Sequence, residues 1–255
     1  MSKQIILITG ANRGIGNGLV AVFLQQPDTT VIAAVRDPTH ISSTQLLDLP
    51  ASSTSRVIVI QLDSADESGA SAAVEILQNK HSINSLDVVI ANAGIKHSGK
   101  PVVDNLIDTV KEHFAVNTLG PLLLYQATAP LLKTSTSGCP KFIAISSNTG
   151  SIAGMDIMAG LSDTSPYGGS KAALNWFMRR IHFDEDWLTS FVLNPGFVMT
   201  DMVMETMKDY PVNPQDLGAI TVEESAKGLM ERVQSATRKD VGGTFLNFDG
   251  QKIPW

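Results

Sequence analysis

Short apolar runs alternate with longer helix-like segments along the whole 255-residue chain, and that rhythm admits few folds. The runs Gln4–Thr9, Thr30–Val35, Arg56–Gln61, Leu86–Ala91, Lys141–Ser146, Ser190–Asn194 and Thr244–Asn247 are rich in Val, Ile, Leu or Phe. They lack strict alternation, as expected of strands covered on both faces. The intervals between them, among them Glu67–Lys80 and Ser170–Trp187, are long enough for crossover helices. Right-handed crossovers then predict an α/β, doubly wound fold: a mainly parallel seven-stranded sheet with helices on both faces. A chain of this length with 43% hydrophobic residues can bury one such core, so a single domain over 1–255 is expected. Ser42–Ser55 reads as a helix and loop within one βαβ unit. Met199–Ala219 holds Met199, Met202, Met204 and Met207 with two prolines and no strand pattern, and reads as a mobile cover over a pocket.

Several function classes are disfavoured. The net charge of −6, without any basic run, argues against nucleic acid. Apolar stretches such as Val88–Ala91 and Pro121–Leu124 fall far short of the ~20 residues a membrane span needs. Met1-Ser2-Lys3-Gln4 leads directly into an apolar strand with no signal-peptide pattern, so a cytoplasmic protein is expected. Cys139 is the only cysteine, which precludes an internal disulfide. The five histidines, including His81, His97, His113 and His182, show no paired metal-ligand spacing, and no catalytic metal is expected.

The first strand ends in Thr9-Gly10-Ala11-Asn12-Arg13-Gly14-Ile15-Gly16, followed by Leu19, Val20, Phe23 and Leu24 at helical spacing. In such a turn Gly10 permits the reversal, Gly14 admits a pyrophosphate close to the backbone, and Gly16 lets helix and strand pack closely. Unpaired N–H groups at the helix start favour phosphate. A dinucleotide site is the reading. The second strand ends in Ala34-Val35-Arg36-Asp37, where the adenosine ribose is normally read. Arg36 with Arg13 can clamp a 2′-phosphate and select NADP(H). Asp37 reading the ribose hydroxyls is the alternative.

Tyr167-Gly168-Gly169-Ser170-Lys171 opens a helix-like segment, and residues four apart on a helix share a face. A free tyrosine ionises near pH 10, so a neighbouring ammonium is needed to make it a usable acid/base. The glycine turn, Asn92-Ala93-Gly94, Asn117, Ser146-Ser147, Tyr167–Lys171 and Pro195-Gly196 together resemble the short-chain dehydrogenase/reductase family, in its order and over essentially the whole chain. The resemblance implies a Rossmann fold with Tyr167 exchanging a proton with a carbonyl or alcohol. Lys171 would also hold the nicotinamide ribose, Ser147 would bond the substrate oxygen, and Asn117 would hold a relay water. Asp63 matches the adenine contact. Asn92, Ala93 and Gly94 match the turn beside the cofactor, and Pro195, Gly196, Val198 and Thr200 the segment facing the carboxamide. Either Ser146 or Ser147 can be the catalytic hydroxyl, with Ser147 preferred as the second of the pair.

The interval from Ser147 to Tyr167 exceeds the family's usual spacing through an insertion near 154–166. Its Met155, Ile157, Met158 and Leu161 either line the pocket for a bulky hydrophobic substrate or form a surface loop. Val88–Ile95, Arg180–Phe183, Asp186–Leu188 and Asn194–Val198 resemble the norsolorinic acid ketoreductase group of fungal polyketide pathways. The ending Phe245–Gly250 with Ile253–Trp255 resembles carbonyl reductases. That implies an aromatic or polyketide-like ketone as substrate, reduced by NADP(H). An enone reductase or alcohol dehydrogenase, and a non-enzymatic NADP(H) sensor, are the competing readings. Thr221–Glu224 reads as a capping box. Trp176, Phe177 and Ile181 are expected in the core or a subunit interface, and the family implies a homodimer or homotetramer.

Overall fold

In the computed structural model, which describes residues 3–97, 100–160, 164–207 and 212–255, each apolar run becomes a strand. These are β1 (Gln4–Thr9), β2 (Thr29–Val35), β3 (Arg56–Gln61), β4 (Val88–Ala91), β5 (Lys141–Ile145), β6 (Thr189–Asn194) and β7 (Phe245–Asn247). They join in the order β3-β2-β1-β4-β5-β6-β7, and every pairing is parallel. The helices between them are α1 (Gly14–Leu24), α2 (Ile41–Thr44), α3 (Gly69–His81), α4 (Ile107–Phe114), α5 (Gly120–Lys133), α6 (Ser165–Asp184), α7 (Asp201–Met207), α8 (Val222–Ser235) and α9 (Arg238–Val241). Strand limits differ from the sequence reading by a residue or two. β4 starts at Val88 because Leu86 donates its N–H to Leu131 O at the end of α5.

The sheet divides two cores, as strands without polar faces require. Leu7, Ile32, Val89 and Phe142 pack with Leu77, Leu124, Leu131 and Leu174 from α3, α5 and α6. Their neighbours Ile6, Ile8, Val31 and Ile143 point the other way, onto Leu19 and Phe23 of α1 and Leu229 and Val233 of α8. β1 to β4 is the point where strand order reverses, which opens a crevice beyond the carboxyl ends of the strands.

Positions 208–211 of the 199–219 region lie outside the described residues. The remainder holds α7 and a 3₁₀ turn at Pro214–Leu217, and a bridge between Val198 and Ile220 fastens both ends. In the insertion, Met155–Met158 form a 3₁₀ turn with Met155 and Ile157 exposed, while Leu161 lies outside the described residues. The C-terminal tail closes over this segment. Ser151 donates to Pro254 O at 2.6 Å, Ala153 N–H to Trp255 O at 2.9 Å, and Trp255 stacks on Phe245. Thr221 caps α8 by accepting the Glu224 N–H at 3.1 Å, the N-cap half of the predicted box. On α6, Ile181 is buried, whereas Trp176 is 62% exposed. No helix among the described residues is long and apolar enough to cross a membrane.

Candidate active site

The glycine turn has the shape its sequence implied. Gly10 and Gly14 take φ of +62° and +51°, a region L side chains avoid. A Cβ on Gly16 would lie 2.1 Å from Gly10 O, so only glycine lets α1 start this close to β1. Arg13 is the N-cap of α1 but makes no side-chain cap bond, and the first turn carries no acidic residue. The helix start therefore presents bare N–H groups and its positive end to the crevice. Asn12 turns aside, donating to Ser42 Oγ at 2.7 Å.

β1 and β4 are tied at their carboxyl ends. Thr9 Oγ1 accepts the N–H groups of both Asn92 and Ala93 at 3.0 Å, and Asn92 Nδ2 donates back to Thr9 O at 2.8 Å. The Asn92 amide is thus occupied by the backbone, and Ala93 packs so tightly on Gly10 that a Cβ there would meet Ala93 Cα at 2.9 Å. Arg36 stands exposed at the end of β2. Beside it, Asp37 accepts from Thr39 N–H at 2.8 Å and Thr39 Oγ1 at 2.7 Å, bonds that hold its carboxyl below the usual range. Asp63 follows β3, half-buried, and accepts the Ala65 N–H at 2.9 Å.

Tyr167 and Lys171 lie in the first turns of α6, four residues apart, with Lys171 Nζ 5.8 Å from the centre of the Tyr167 ring. Lys171 Nζ donates to Ile145 O at 2.8 Å, which anchors it to the end of β5. Burial pushes the Tyr167 phenol up to about 12, against a downward pull from its hydrogen bond with Ser147. Burial pushes Lys171 down to about 8. The lowering of the phenol expected from a neighbouring ammonium is thus not seen: burial dominates, and Lys171 is not among the groups that shift it. Ser147 follows β5 and caps the 3₁₀ turn Asn148–Gly150, whereas Ser146 Oγ is buried with no hydrogen-bond partner. Of the two serines, Ser147 is the one that reaches the tyrosine.

Asn117 sits in a π-turn, Ala115–Leu119, between α4 and α5, a type of distortion common at functional sites. Its side chain is fully committed: Oδ1 accepts the Ile95 N–H at 2.8 Å, and Nδ2 donates to Ile95 O at 2.9 Å and Ser170 Oγ at 3.0 Å. One turn earlier, buried His113 accepts the His97 N–H at 3.2 Å through Nε2 and meets the Tyr167 ring edge-on. Asn117 and His113 together clamp the segment after Gly94 at three backbone groups. Gly94 lies between Asn117 and Lys171, where a Cβ would meet Asn117 Oδ1 at 3.2 Å and Lys171 Nζ at 3.6 Å.

One cavity of about 80 Å³ collects much of this. It is lined by Ile15, Asn92, Gly94, Tyr167, Lys171 and Pro195, with Ser146 and Met202 added. A larger hollow of about 280 Å³ lies on the other side of the α6 start, between Val102, Ile107, Val110, Phe114 and Gly169. Neither Tyr167 nor Lys171 borders it, so the smaller one is the candidate site. Pro195 O accepts from Ser225 Oγ at 2.7 Å, and Gly196 takes φ of +88°. Thr200 lies over the glycine turn, its methyl 3.4 Å from where a Gly14 Cβ would stand. Val198 is buried and its backbone bridges to Ile220. Thr149 was not singled out from sequence, Thr9, His113 and Ser170 were named there without a role at the site, and Met202, from the segment read as a cover, does line the cavity. Ser170, between Tyr167 and Lys171, was the one with a local signal.

A family model described as short chain dehydrogenase matches residues 4–211. A norsolorinic acid ketoreductase of Dothistroma septosporum is 41% identical, covering 99% of this chain and 93% of its own. That of Aspergillus parasiticus is 36% identical, covering 99% and 92%. The NADPH-bound carbonyl reductase from chicken fatty liver superimposes with a TM-score of 0.86 at 30% identity over the full length of both chains. With the nucleotide-type crevice and the Ser147–Tyr167–Lys171 arrangement beside it, these relationships make the chain an oxidoreductase of the short-chain dehydrogenase family.

Proposed function

We propose that the protein is an NADP(H)-dependent ketoreductase acting on a bulky aromatic or polyketide-like carbonyl, with Tyr167 as proton donor. The observation that carries this reading is the shared cavity: Ile15 of the glycine turn and the Tyr167–Lys171 pair line the same small space. A dinucleotide on the uncapped α1 start thus has its reactive end directed at the tyrosine.

The residues present fit such a cofactor. Gly10, Gly14 and Gly16 leave room for a pyrophosphate against bare N–H groups, and Asn92, Ala93 and Gly94 wall the crevice. Asp63 is in position for the adenine. Exposed Arg36, with Arg13, supplies guanidinium groups for a 2′-phosphate, and the Thr39 bonds that occupy Asp37 favour this over ribose reading by the carboxylate. Pro195, Gly196, Val198 and Thr200 cover the nicotinamide end. When bound, the cofactor supplies the hydride.

The chain's own residues do the rest. Ser147 and Tyr167 direct hydroxyl groups at the carbonyl oxygen, which strengthens as an acceptor while charge develops on it. Tyr167 then gives up its proton, and the Lys171 ammonium stabilises the phenolate left behind. Asn117, whose side chain bonds Ile95 and Ser170, is the residue assigned to hold a relay water. Ile152, Met155 and Ile157 are exposed apolar side chains in the insertion before Tyr167, which is consistent with a large apolar substrate, and the names of the ketoreductase relatives support one.

The test is NADPH oxidation across quinones, aromatic ketones and anthraquinones, with Tyr167→Phe alongside. We expect turnover of aromatic ketones, reduced in the variant by about 10²-fold or more with NADPH affinity retained. No turnover of any carbonyl despite tight NADPH binding would sink the proposal.

A further inference from the structure

The structure assigns Thr149 as a positioning residue: we infer that its hydroxyl fixes the direction in which Ser147 gives its hydrogen bond. The inference rests on the proposed ketoreductase reading of the same site. A serine hydroxyl has one proton to donate and two lone pairs to accept with. Ser147 Oγ accepts the Thr149 N–H at 3.3 Å and the Thr149 hydroxyl at 2.9 Å. Both lone pairs are then engaged, and the single proton is left to point toward Tyr167 and the substrate oxygen. The first of these bonds is an ordinary cap of a 3₁₀ turn and would form with any residue at 149 except proline. The second needs a hydroxyl.

The consequence for the reaction is directional. If Ser147 were free to turn, its oxygen could accept from the Tyr167 hydroxyl, and the proton required by the substrate would be tied up between the two residues. With Thr149 occupying Ser147, the tyrosine proton stays available. The turn is held rigidly enough for this. Asn194 Oδ1 accepts the Asn148 N–H at 3.2 Å, and buried Asn175 of α6 donates to Gly150 O at 3.1 Å. Gly168 brings the first turn of α6 directly onto it, since a Cβ there would stand 2.8 Å from Thr149 O. Thr149 is therefore packed between Ser147 and the turn that bears Tyr167.

Thr149→Val keeps the shape and removes the donor; Thr149→Ser restores a donor. With the ketone that the parent enzyme reduces best, we expect Val to lower kcat about tenfold while NADPH affinity is unchanged, and Ser to recover most of the loss. In the reverse direction, alcohol oxidation, which needs the phenolate, should require higher pH in the Val variant, because Ser147 no longer donates reliably to Tyr167. Thermal melts accompany each variant. A Val variant within twofold of the parent, or one whose loss follows its melting temperature without a changed pH profile and without rescue by Ser, overturns the inference. An inactive parent overturns the functional reading and this inference with it, whereas an active parent, a dead Tyr167→Phe and an unaffected Thr149→Val overturn the inference alone.

Discussion

At the scale of single residues, the cofactor preference turns on two neighbours, Arg36 and Asp37. Sequence spacing left open which of them meets the ribose, because a shift of one residue exchanges them. In the structure both are exposed, and Thr39 makes two hydrogen bonds to Oδ1 of Asp37; the proposed reading gives the ribose phosphate to Arg36. A charge-assisted hydrogen bond contributes about 1.5–3 kcal/mol. Arg36→Ala is thus expected to weaken NADPH binding about 10- to 100-fold and NADH binding little, as read by fluorescence titration with each. Lys171 makes a separate prediction about pH. Its ammonium is penalised by burial, with a folded value of about 8 against an ordinary 10.5. Between these values the unfolded chain holds the proton that the folded chain has released, so this group adds stability as pH rises through that window. Below pH 8 both states are protonated and the full penalty applies. Lys171→Met removes the penalty. Its melting temperature relative to the parent should be highest near neutral pH and decline as pH rises from 8 toward 10.5.

At the scale of elements, the helices and strands were legible because their signals are local. Leu19, Val20, Phe23 and Leu24 repeat at helical spacing and lie buried on α1, and Tyr167 and Lys171 share a face of α6 as their spacing required. The π-turn at Ala115–Leu119 was not legible, since nothing in Ala-Val-Asn-Thr-Leu distinguishes it from ordinary helix. The Val198–Ile220 bridge was not legible for a related reason: it joins residues that no short window contains. The C-terminal tail is likewise a long-range element. Trp255 stacks on Phe245, packs within 5.2 Å of the Arg179 guanidinium, and holds Ala153 through its carbonyl. Trp255→Ala should cost about 2 kcal/mol in denaturant unfolding. If the 151–158 segment that Trp255 holds borders the substrate, as the proposed function has it, the variant should also raise KM for the carbonyl more than for NADPH. Equal increases in both would contradict that assignment.

At the scale of the whole molecule, the sheet was readable as parallel because no run alternates polar with apolar residues and no hairpin turn separates two runs. The two cores explain why: β1 to β6 are covered by helices on both faces, so each strand buries successive side chains in opposite layers. The location of the site followed from strand order, which places the crevice beyond β1 and β4, where hydrogen bonds from Asn92 and Ala93 to Thr9 and Gly10 join those strand ends. β1, the first of the seven strands in sequence, lies in the interior of the sheet. During synthesis it can be covered on one side by β2, but its other edge must wait for Val88–Ala91, after two further βα units have emerged. Until then a nascent chain carries an unpaired strand edge of Ile, Leu and Thr, open to any extended segment it meets. Any delay in β4 is therefore expected to lengthen the interval in which β1 is open to misassociation.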